Sequence, residues 1–211
     1  MLLARLRSLG RDERGVTLVE LVVAMLIFSI VSLVFTTTLS AVQRAVVREE
    51  VRTRLNDDAR LALQSIDRQV RSGNVLYDPD SETGNDPYDA AASGYMFRVY
   101  TQAKANDADN PRCVVWLIDD QERLKSMWWP PYDPDAASGW TVVADSIVNR
   151  TLDTPAFAVD SLGRTVTVAF QVNPALGSDP NATQPFTASV TGRNTSYGYP
   201  ETVCDDLPDL T

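Results

Sequence analysis

The feature that most constrains this chain is an apolar run close to its N-terminus. Residues 16–35 read VTLVELVVAMLIFSIVSLVF, and Glu20 is the one strongly polar side chain among these twenty residues. In a helix that rises about 1.5 Å per residue, such a run covers about 30 Å, the thickness of the hydrocarbon core of a bilayer. The run therefore predicts a helix that spans a membrane once, with the lipid bilayer as its first partner.

The flanking charges predict how this helix lies in the membrane. Threonines and a serine follow it, whereas four arginines precede it: Arg5, Arg7, Arg11 and Arg14. The positive-inside bias then places the N-terminus in the cytoplasm and the rest of the chain outside. The run is longer than the apolar core of about 7–15 residues in a cleaved secretory signal, and no cysteine lies near it to carry a lipid.

Glu20 is the residue that a plain membrane anchor leaves unexplained, because an ionised side chain within a spanning helix costs about 3 kcal/mol on insertion scales. It belongs to the string RGVTLVE at residues 14–20, which joins a short basic leader to the apolar helix. This string resembles the processing site of type IV prepilins and pseudopilins.

The resemblance implies a specific fate for three residues. A membrane aspartyl peptidase, the prepilin peptidase, would cut after Gly15 and methylate the new N-terminus at Val16. Glu20 would become the acid at the fifth mature position, which in that family pairs with the terminal amine of a neighbouring subunit. The other partners implied are pilins or pseudopilins of the same filament and an inner-membrane assembly platform.

Electrostatics favours the same pairing. A cationic amine at Val16 would lie one helical turn from Glu20, at the end of the helix where the macrodipole favours an anion. The alternative is a glutamate that is tolerated near the membrane interface and has no role in assembly.

Beyond the membrane the pattern predicts that the same helix continues to Ser72-Gly73, where glycine favours a helix end. Neither proline nor glycine lies between Val16 and Ser72, whereas many major pilins carry a proline at the position of Thr37. This difference favours a minor pilin or a pseudopilin. Apolar residues recur at helical spacing along one face: Val47, Val51, Leu55, Ala59, Leu63, Ile66 and Val70.

The rest of the chain predicts an antiparallel β-sheet packed against the outer half of the helix. Residues 77–94 are rich in aspartate, proline and glycine and indicate a long loop. The expected fold is therefore α+β, as in pilins, with a leader (1–15), a transmembrane half-helix (16–35), an amphipathic half-helix (36–73) and a β-rich head (74–211). Five strand-like runs are bounded by turn residues: Tyr95–Tyr100, Cys113–Ile118, Arg123–Trp128, Arg164–Val172 and Phe186–Thr191.

Several segments are similar to minor pilins and pseudopilins of the W type and of the type II secretion J type. This finer resemblance implies a tip or priming subunit. The segments are Leu63–Arg71, the sequence CVVWLIDDQERLKSMWW at residues 113–129, Trp140–Val148, and the late string Gly192-Arg193-Asn194.

The chain has two cysteines, Cys113 and Cys204, which lie about 90 residues apart. This spacing excludes a zinc knuckle or a CxxC redox motif. In an exported head the two would form a disulfide that stabilises the fold by about 2–4 kcal/mol. In a reducing cytosol they would be buried thiols.

Composition argues against several other functions. The formal net charge is −9, and the leader carries +2 because four arginines oppose Asp12 and Glu13, so the remainder carries −11. Generic binding to nucleic acid is therefore not expected. The chain has no histidine, and no nucleophile with its base can be assembled, so we expect neither an enzyme nor a cofactor or metal centre.

Three features have two interpretations each. The acidic loop 78–86 offers oxygen ligands of the kind that calcium prefers, although acidic loops are more often simply solvated. The run WWPPY at 128–132 is either an exposed binding platform or an aromatic cluster at the edge of the core. Asn149, Asn181 and Asn194 begin N-x-S/T strings, but such strings also arise by chance and we assign no glycan.

The sequence thus predicts a structural subunit that is anchored in the inner membrane by one helix, with its N-terminus in the cytoplasm, and that then enters a pilus or pseudopilus. The alternative is a single-span anchored binding or sensory module whose outer domain recognises a ligand and does not polymerise.

Overall fold

The computed structural model describes residues 15–89, 91–102, 111–174, 182–192 and 199–210. The leader before Gly15, the strings at Asn181 and Asn194, and Arg193 lie outside the described residues. The chain divides into two units, one ending at Val47 and the other beginning at Arg48, and each is described by itself.

One helix, α1 (Leu18–Arg71), runs without interruption through both units. Its length follows from the absence of proline and glycine between Val16 and Ser72, since either residue weakens or breaks a helix interior. In the first unit nearly every side chain of α1 is exposed, and this helix is long and apolar enough to cross a membrane.

The helix ends at Arg71, one residue before the predicted Ser72-Gly73. Gly73 was expected to act as a helix cap, but the structure gives it a different role. Gly73 does not adopt the left-handed conformation of a helix cap; it begins the first strand. A Cβ atom there would lie 2.8 Å from Val99 Cγ2 and 2.9 Å from the Val70 carbonyl oxygen. Glycine is therefore required by close packing between the end of the helix and the sheet.

The second unit contains two antiparallel sheets. The first has the order β1-β2-β3-β4-β5 and the second the order β6-β7-β8. The strands are β1 (Gly73–Leu76), β2 (Met96–Thr101), β3 (Arg112–Ile118), β4 (Leu124–Trp129), β5 (Thr141–Ala144), β6 (Phe157–Val159), β7 (Thr165–Val172) and β8 (Gln184–Thr191).

The α+β fold expected from the sequence is confirmed, with two differences in detail. All five predicted strands are present, and their ends lie within two residues of the expected ones. The strands divide between two sheets, whereas the sequence predicts one. β1, β5 and β6 were not predicted because segments of three or four residues are too short to show a clear alternation.

The larger core lies between the helix and the two sheets. The helix contributes a stripe with the predicted spacing, although Val47 is exposed and Val51 and Leu63 are only partly buried. The ring centroid of Phe97 lies 5.9 Å from that of Trp116 in the same sheet and 5.7 Å from that of Phe157 in the second sheet. Stacked aromatic rings therefore join the two sheets. The buried helix residues are Leu55, Ala59, Ala62, Ile66 and Val70.

A second core lies on the opposite face of the first sheet. Alternate residues of β2, β3 and β4 point to this side and are covered by Tyr77 and by the C-terminal segment (residues 199–210). The buried residues of that segment are Val203, Cys204, Pro208 and Leu210. The first sheet is thus enclosed between α1 on one face and the C-terminal segment on the other.

Cys113 and Cys204 form a disulfide, so the structure decides between the two states that the sequence left open. Their Cα atoms lie 5.8 Å apart, which is the usual spacing of a disulfide. Because Cys113 lies in β3, the bond fastens the C-terminal segment to the middle of the first sheet.

Candidate processing and assembly site

The start of α1 is organised by Thr17. Its side-chain oxygen accepts a hydrogen bond from the Glu20 backbone nitrogen at 3.3 Å, and its carbonyl oxygen accepts one from the Leu21 nitrogen at 3.2 Å. Thr17 is therefore the N-cap and Glu20 the third helical residue, in the T-x-x-E order of a capping box. The capping-box pattern is visible in the sequence at residues 17–20, although it was not among the predictions.

Glu20 is exposed in the first turn of α1, where the helix macrodipole favours a negative charge. Val16 is exposed just before the cap. A cut after Gly15 would leave both Thr17 and Glu20 in the chain, so the cap would survive it. The pairing of Glu20 with a terminal amine stays a prediction.

Gly15 is exposed, and a Cβ atom added there would meet no atom within 4 Å among the described residues beyond its chain neighbours. Its φ is not in the left-handed region that favours glycine. Packing around residue 15 therefore gives no reason for a glycine, and such a reason would have to lie in recognition by another molecule.

Five hydroxyl groups in and just after the apolar run of α1 donate hydrogen bonds within the helix. Ser29 donates to the Met25 carbonyl oxygen at 2.7 Å, and Thr38 donates to the Val34 oxygen at 2.8 Å. Thr36, Thr37 and Ser40 do the same. These polar groups can therefore lie in lipid without an outside partner.

Comparison with protein families gives one match, at this same end of the chain. Residues 10–36 match the family model described as the prokaryotic N-terminal methylation motif. This match supports a type IV prepilin-like N-terminus. This prepilin-like motif includes Gly15, Val16 and Glu20. The motif belongs to a structural family, and it fits a membrane-anchored protein with one span. No curated protein and no solved structure matches the chain.

The acidic loop 78–86 uses two of its acids inside the head. Glu82 and Asp86 are buried, Glu82 Oε1 lies 2.6 Å from Arg98 Nε, and Asp86 pairs with Arg150. Asp78 accepts a hydrogen bond from the Asp80 nitrogen at 3.1 Å. Within the described ranges, no three acidic, histidine or cysteine side chains converge in a way that could hold a metal ion. These two acids therefore fix the loop to the sheet.

A buried clamp that sequence reasoning missed holds the C-terminal segment. The Arg98 guanidinium pairs with Glu82, donates to the Cys204 carbonyl oxygen and lies 4.2 Å above the Tyr77 ring. The Cys204 nitrogen donates to the Tyr77 hydroxyl at 2.9 Å. Burial raises the pKa of Tyr77 to about 12, so this hydroxyl stays neutral. The clamp joins residues far apart in sequence, and no local pattern signals it.

A third buried acid, Asp119, organises the β3–β4 hairpin. Its carboxylate lies 2.7 Å from Arg123 Nη2 and 2.9 Å from Lys125 Nζ, and it accepts a bond from the Arg123 nitrogen at 2.8 Å. Burial alone would raise the pKa of Asp119, but the hydrogen bonds from Arg123 and Lys125 outweigh it, so the pKa lies below its usual value.

The aromatic run at 128–132 is partly buried and partly exposed. Trp129 is fully buried in the second core, whereas Trp128 and Tyr132 are 41% and 61% exposed. Asn149 is buried, donates to the Thr154 and Ala169 carbonyl oxygens and accepts from the Gln171 nitrogen. Asn149 is therefore a structural residue, and its amide is not accessible to a glycan.

Proposed function

We propose that the chain is a structural subunit of a type IV pilus or type II secretion pseudopilus, processed by prepilin peptidase after Gly15. In this proposal the leader (1–15) is removed, Val16 is methylated and residues 16–35 hold the subunit in the inner membrane. Residues 36–73 and the head (74–211) lie outside the cytoplasm. Assembly then transfers the subunit from the membrane into the filament.

The observation that carries this proposal is the position of the methylation motif relative to α1. The motif covers residues 10–36, and the helix begins at Leu18 with Glu20 in its first turn. A subunit that is held in the lipid bilayer and then packs among other helices needs a long apolar helix with one acid near its start. The disulfide agrees with a head that lies outside the reducing cytosol.

A minor pilin or pseudopilin is favoured within this class. α1 is unbroken from Leu18 to Arg71, and Thr37 is helical and bonded to the Val34 carbonyl oxygen at 2.9 Å. The helix therefore has no proline-induced weak point of the kind that many major pilins carry at this position. The resemblance of the head to the W and J types supports the same subclass.

The assembly role of Glu20 is tested by Glu20→Ala in the native host. Because the change leaves Gly15 and the apolar helix intact, we expect processing to continue while the amount recovered in sheared filaments falls at least about tenfold, the equivalent of losing one charge pair in a low-dielectric site. Immunoblotting of membrane and filament fractions measures both quantities.

Glu49→Ala is the matched control, since Glu49 is an exposed acid farther along the same helix. It should enter filaments like the parent. Unchanged recovery of Glu20→Ala in the filament fraction would reject a role for this acid in assembly.

A further inference from the structure

The strand β8 lies at one edge of the second sheet, whose order is β6-β7-β8. It is eight residues long and pairs with β7 over its whole length without a register shift. The other edge strands differ from it. β1 and β5 have four residues each and pair with a register shift, and β6 has three residues. In the described part of the chain, β8 is therefore the longest regular strand edge.

The hydrogen bonds to β7 show which backbone groups of β8 point outward. The Gly192 nitrogen donates to the Arg164 carbonyl oxygen at 2.8 Å, and these two residues are the next pair beyond the end of the β7–β8 register. Hydrogen-bonded pairs alternate along an antiparallel ladder, so Phe186, Ala188 and Val190 bond to β7. The odd-numbered residues of β8 then point their N–H and C=O groups away from β7.

The other side of β7 has the same phase. The Gln171 nitrogen donates to Asn149 Oδ1 at 2.8 Å, and the Ala169 nitrogen donates to the Ala156 carbonyl oxygen at 2.8 Å. The odd-numbered amides of β7 therefore face away from β8, as this ladder requires. Pro185, which has no N–H, occupies an outward position of β8, where it breaks no bond to β7.

The outward backbone groups of β8 form a row. They are the N–H and C=O groups of Thr187, Ser189 and Thr191 and the C=O group of Pro185; we call these four residues the β8 edge. All four residues are exposed. In the ranges that the structure describes, no other backbone group bonds to this edge. A row of unpaired donors and acceptors at strand spacing is a template for another strand.

The β8 edge lacks the features that usually protect such a template, which are charges, a bulge or a very short strand. β8 carries no charged residue, and its one proline lies before the three outward amides. On the inner face, Phe186 and Ala188 are only half-buried, and Phe186 packs against the larger core. An added strand would cover both with its own inward side chains. The edge therefore offers the backbone groups and the apolar neighbours that a fourth strand requires.

We propose that the β8 edge binds an extended, uncharged segment of a different subunit of the same filament, which adds as an antiparallel fourth strand to the second sheet. This inference rests on the proposed function, because a minor subunit has mainly unlike subunits as neighbours. The segment places small or hydroxyl side chains opposite Thr187 and Ser189, and apolar side chains beside Phe186 and Ala188. Backbone hydrogen bonds supply the affinity, and the alternation of side chains sets the register.

The test uses the full-length chain in a nonionic detergent and a fluorescent synthetic peptide with the sequence of residues 164–172, RTVTVAFQV. In the head this sequence pairs with the inner edge of β8, so its side chains alternate in a pattern that β8 accepts. Fluorescence anisotropy should show saturable binding to the parent. Amide exchange measured by NMR should be fast at Thr187 and Ser189 in the free protein and at least about tenfold slower with saturating peptide.

Two variants separate the backbone from the side chain. Ser189→Pro removes an outward amide and places a ring on the edge, so it should weaken peptide binding at least about tenfold while the bonds to β7 remain. Ser189→Val is the matched control, because it changes the side chain and keeps the amide. It should bind the peptide within about threefold of the parent. Thermal unfolding checks that both variants fold.

A second comparison needs no change in the protein. The peptide N-methylated at the positions of Thr167 and Ala169 loses the amides that face the β8 edge, and it should bind at least about tenfold more weakly than the unmodified peptide. The peptide N-methylated at the positions of Val166 and Val168 loses amides that face solvent, and it should bind nearly as well as the unmodified one. This pair decides the question even if Ser189→Pro does not fold.

The partner is tested in the native host, where Ser189→Pro should lower recovery in sheared filaments at least about tenfold relative to Ser189→Val. Equal recovery of the two variants would reject a role of the edge in the filament. If the purified parent associates with itself and Ser189→Pro abolishes this association, the occupant is a second copy, which rejects the unlike subunit.

Three results would overturn strand addition itself: a parent that does not bind the peptide, slow amide exchange at Thr187 and Ser189 in the free protein, or equal binding of the two N-methylated peptides. The N-terminus of the same chain, purified from its host, is read separately. Methylated Val16 without peptide binding rejects the β8 edge and leaves the proposed function standing. Peptide binding with an intact leader supports the edge as a strand-addition site and rejects the processing.

Discussion

At the scale of single residues, the head depends on charges that are buried in pairs. Arg98 and Glu82 are the clearest case, with 7% and 2% of their side chains exposed and 2.6 Å between Nε and Oε1. A buried ion pair is weak evidence for net stabilisation, but removing one partner leaves the other charged and unsolvated. Loss of Arg98 should therefore be much more damaging than loss of an exposed arginine.

Arg98→Leu should lower the free energy of unfolding by about 3–5 kcal/mol, because Glu82 is left without its cation and the Cys204 carbonyl without its donor. Urea unfolding of the full-length chain in detergent, followed by tryptophan fluorescence, measures this. Arg164→Leu, at an exposed position, should change it by less than about 0.5 kcal/mol. Equal effects of the two substitutions would contradict the clamp.

Asp119 predicts how stability depends on pH. Its folded-state pKa is lowered, so the unfolded chain binds the proton more readily than the folded one. The stabilisation is fully present above the unfolded value near 4 and is lost as the pH falls through the folded value. The free energy of unfolding should therefore fall as the pH drops below about 4.

The matched comparison is between Asp119→Asn and Asp120→Asn, which remove one buried and one exposed carboxylate. Asp119→Asn should be less stable than the parent at pH 7 and should show a shallower fall in acid. Asp120→Asn should follow the parent at both pH values. A parent-like acid profile for Asp119→Asn would show that another group controls this range.

A residue whose proposed role depends on its neighbours in the sequence could be singled out from the sequence. A residue whose role depends on contacts between distant parts of the chain could not. Gly15, Val16 and Glu20 form one short string with a fixed spacing, so the sequence alone suggests their roles, which stay predictions. Arg98, Tyr77 and Cys204 are far apart in sequence and meet in the folded head. No periodicity or motif marks such a contact.

At the scale of elements, α1 was the most predictable part of the chain. Its apolar stripe repeats over many turns without glycine or proline, and Leu55, Ala59, Ile66 and Val70 are buried as the spacing predicts. The long strands β7 and β8 were also predictable, since β7 alternates buried and half-buried residues throughout. The two sheets pack together through Phe97 and Phe157, and Phe157 packs on Phe170; sequence spacing does not encode these contacts.

The disulfide is the element that holds the C-terminal segment, and its removal should be costly. Cys113→Ala/Cys204→Ala should lower the free energy of unfolding by about 2–5 kcal/mol, because the bond spans 91 residues and the closed loop restricts the unfolded chain. If the parent is unfolded, reduced and then refolded with reductant present, its free energy of unfolding should fall by the same amount. A double variant as stable as the parent would show that the Arg98 clamp alone retains the segment.

At the scale of the whole molecule, the N-terminal end of the chain serves assembly in this account. This segment carries the methylation motif and the apolar helix. The proposed place of the subunit in a filament rests on that motif, on the helix and on the α+β fold of the head.

The measurement that tests the central claim most directly is mass spectrometry of the N-terminal peptide of the protein purified from its native host. The account predicts a chain that begins at Val16, carries a methyl group on its amine and lacks all four leader arginines. Gly15→Ala should retain the leader while the head unfolds like that of the parent, because no packing contact requires the glycine. A native protein that still carries residues 1–15, or that has lost only Met1, would contradict the account.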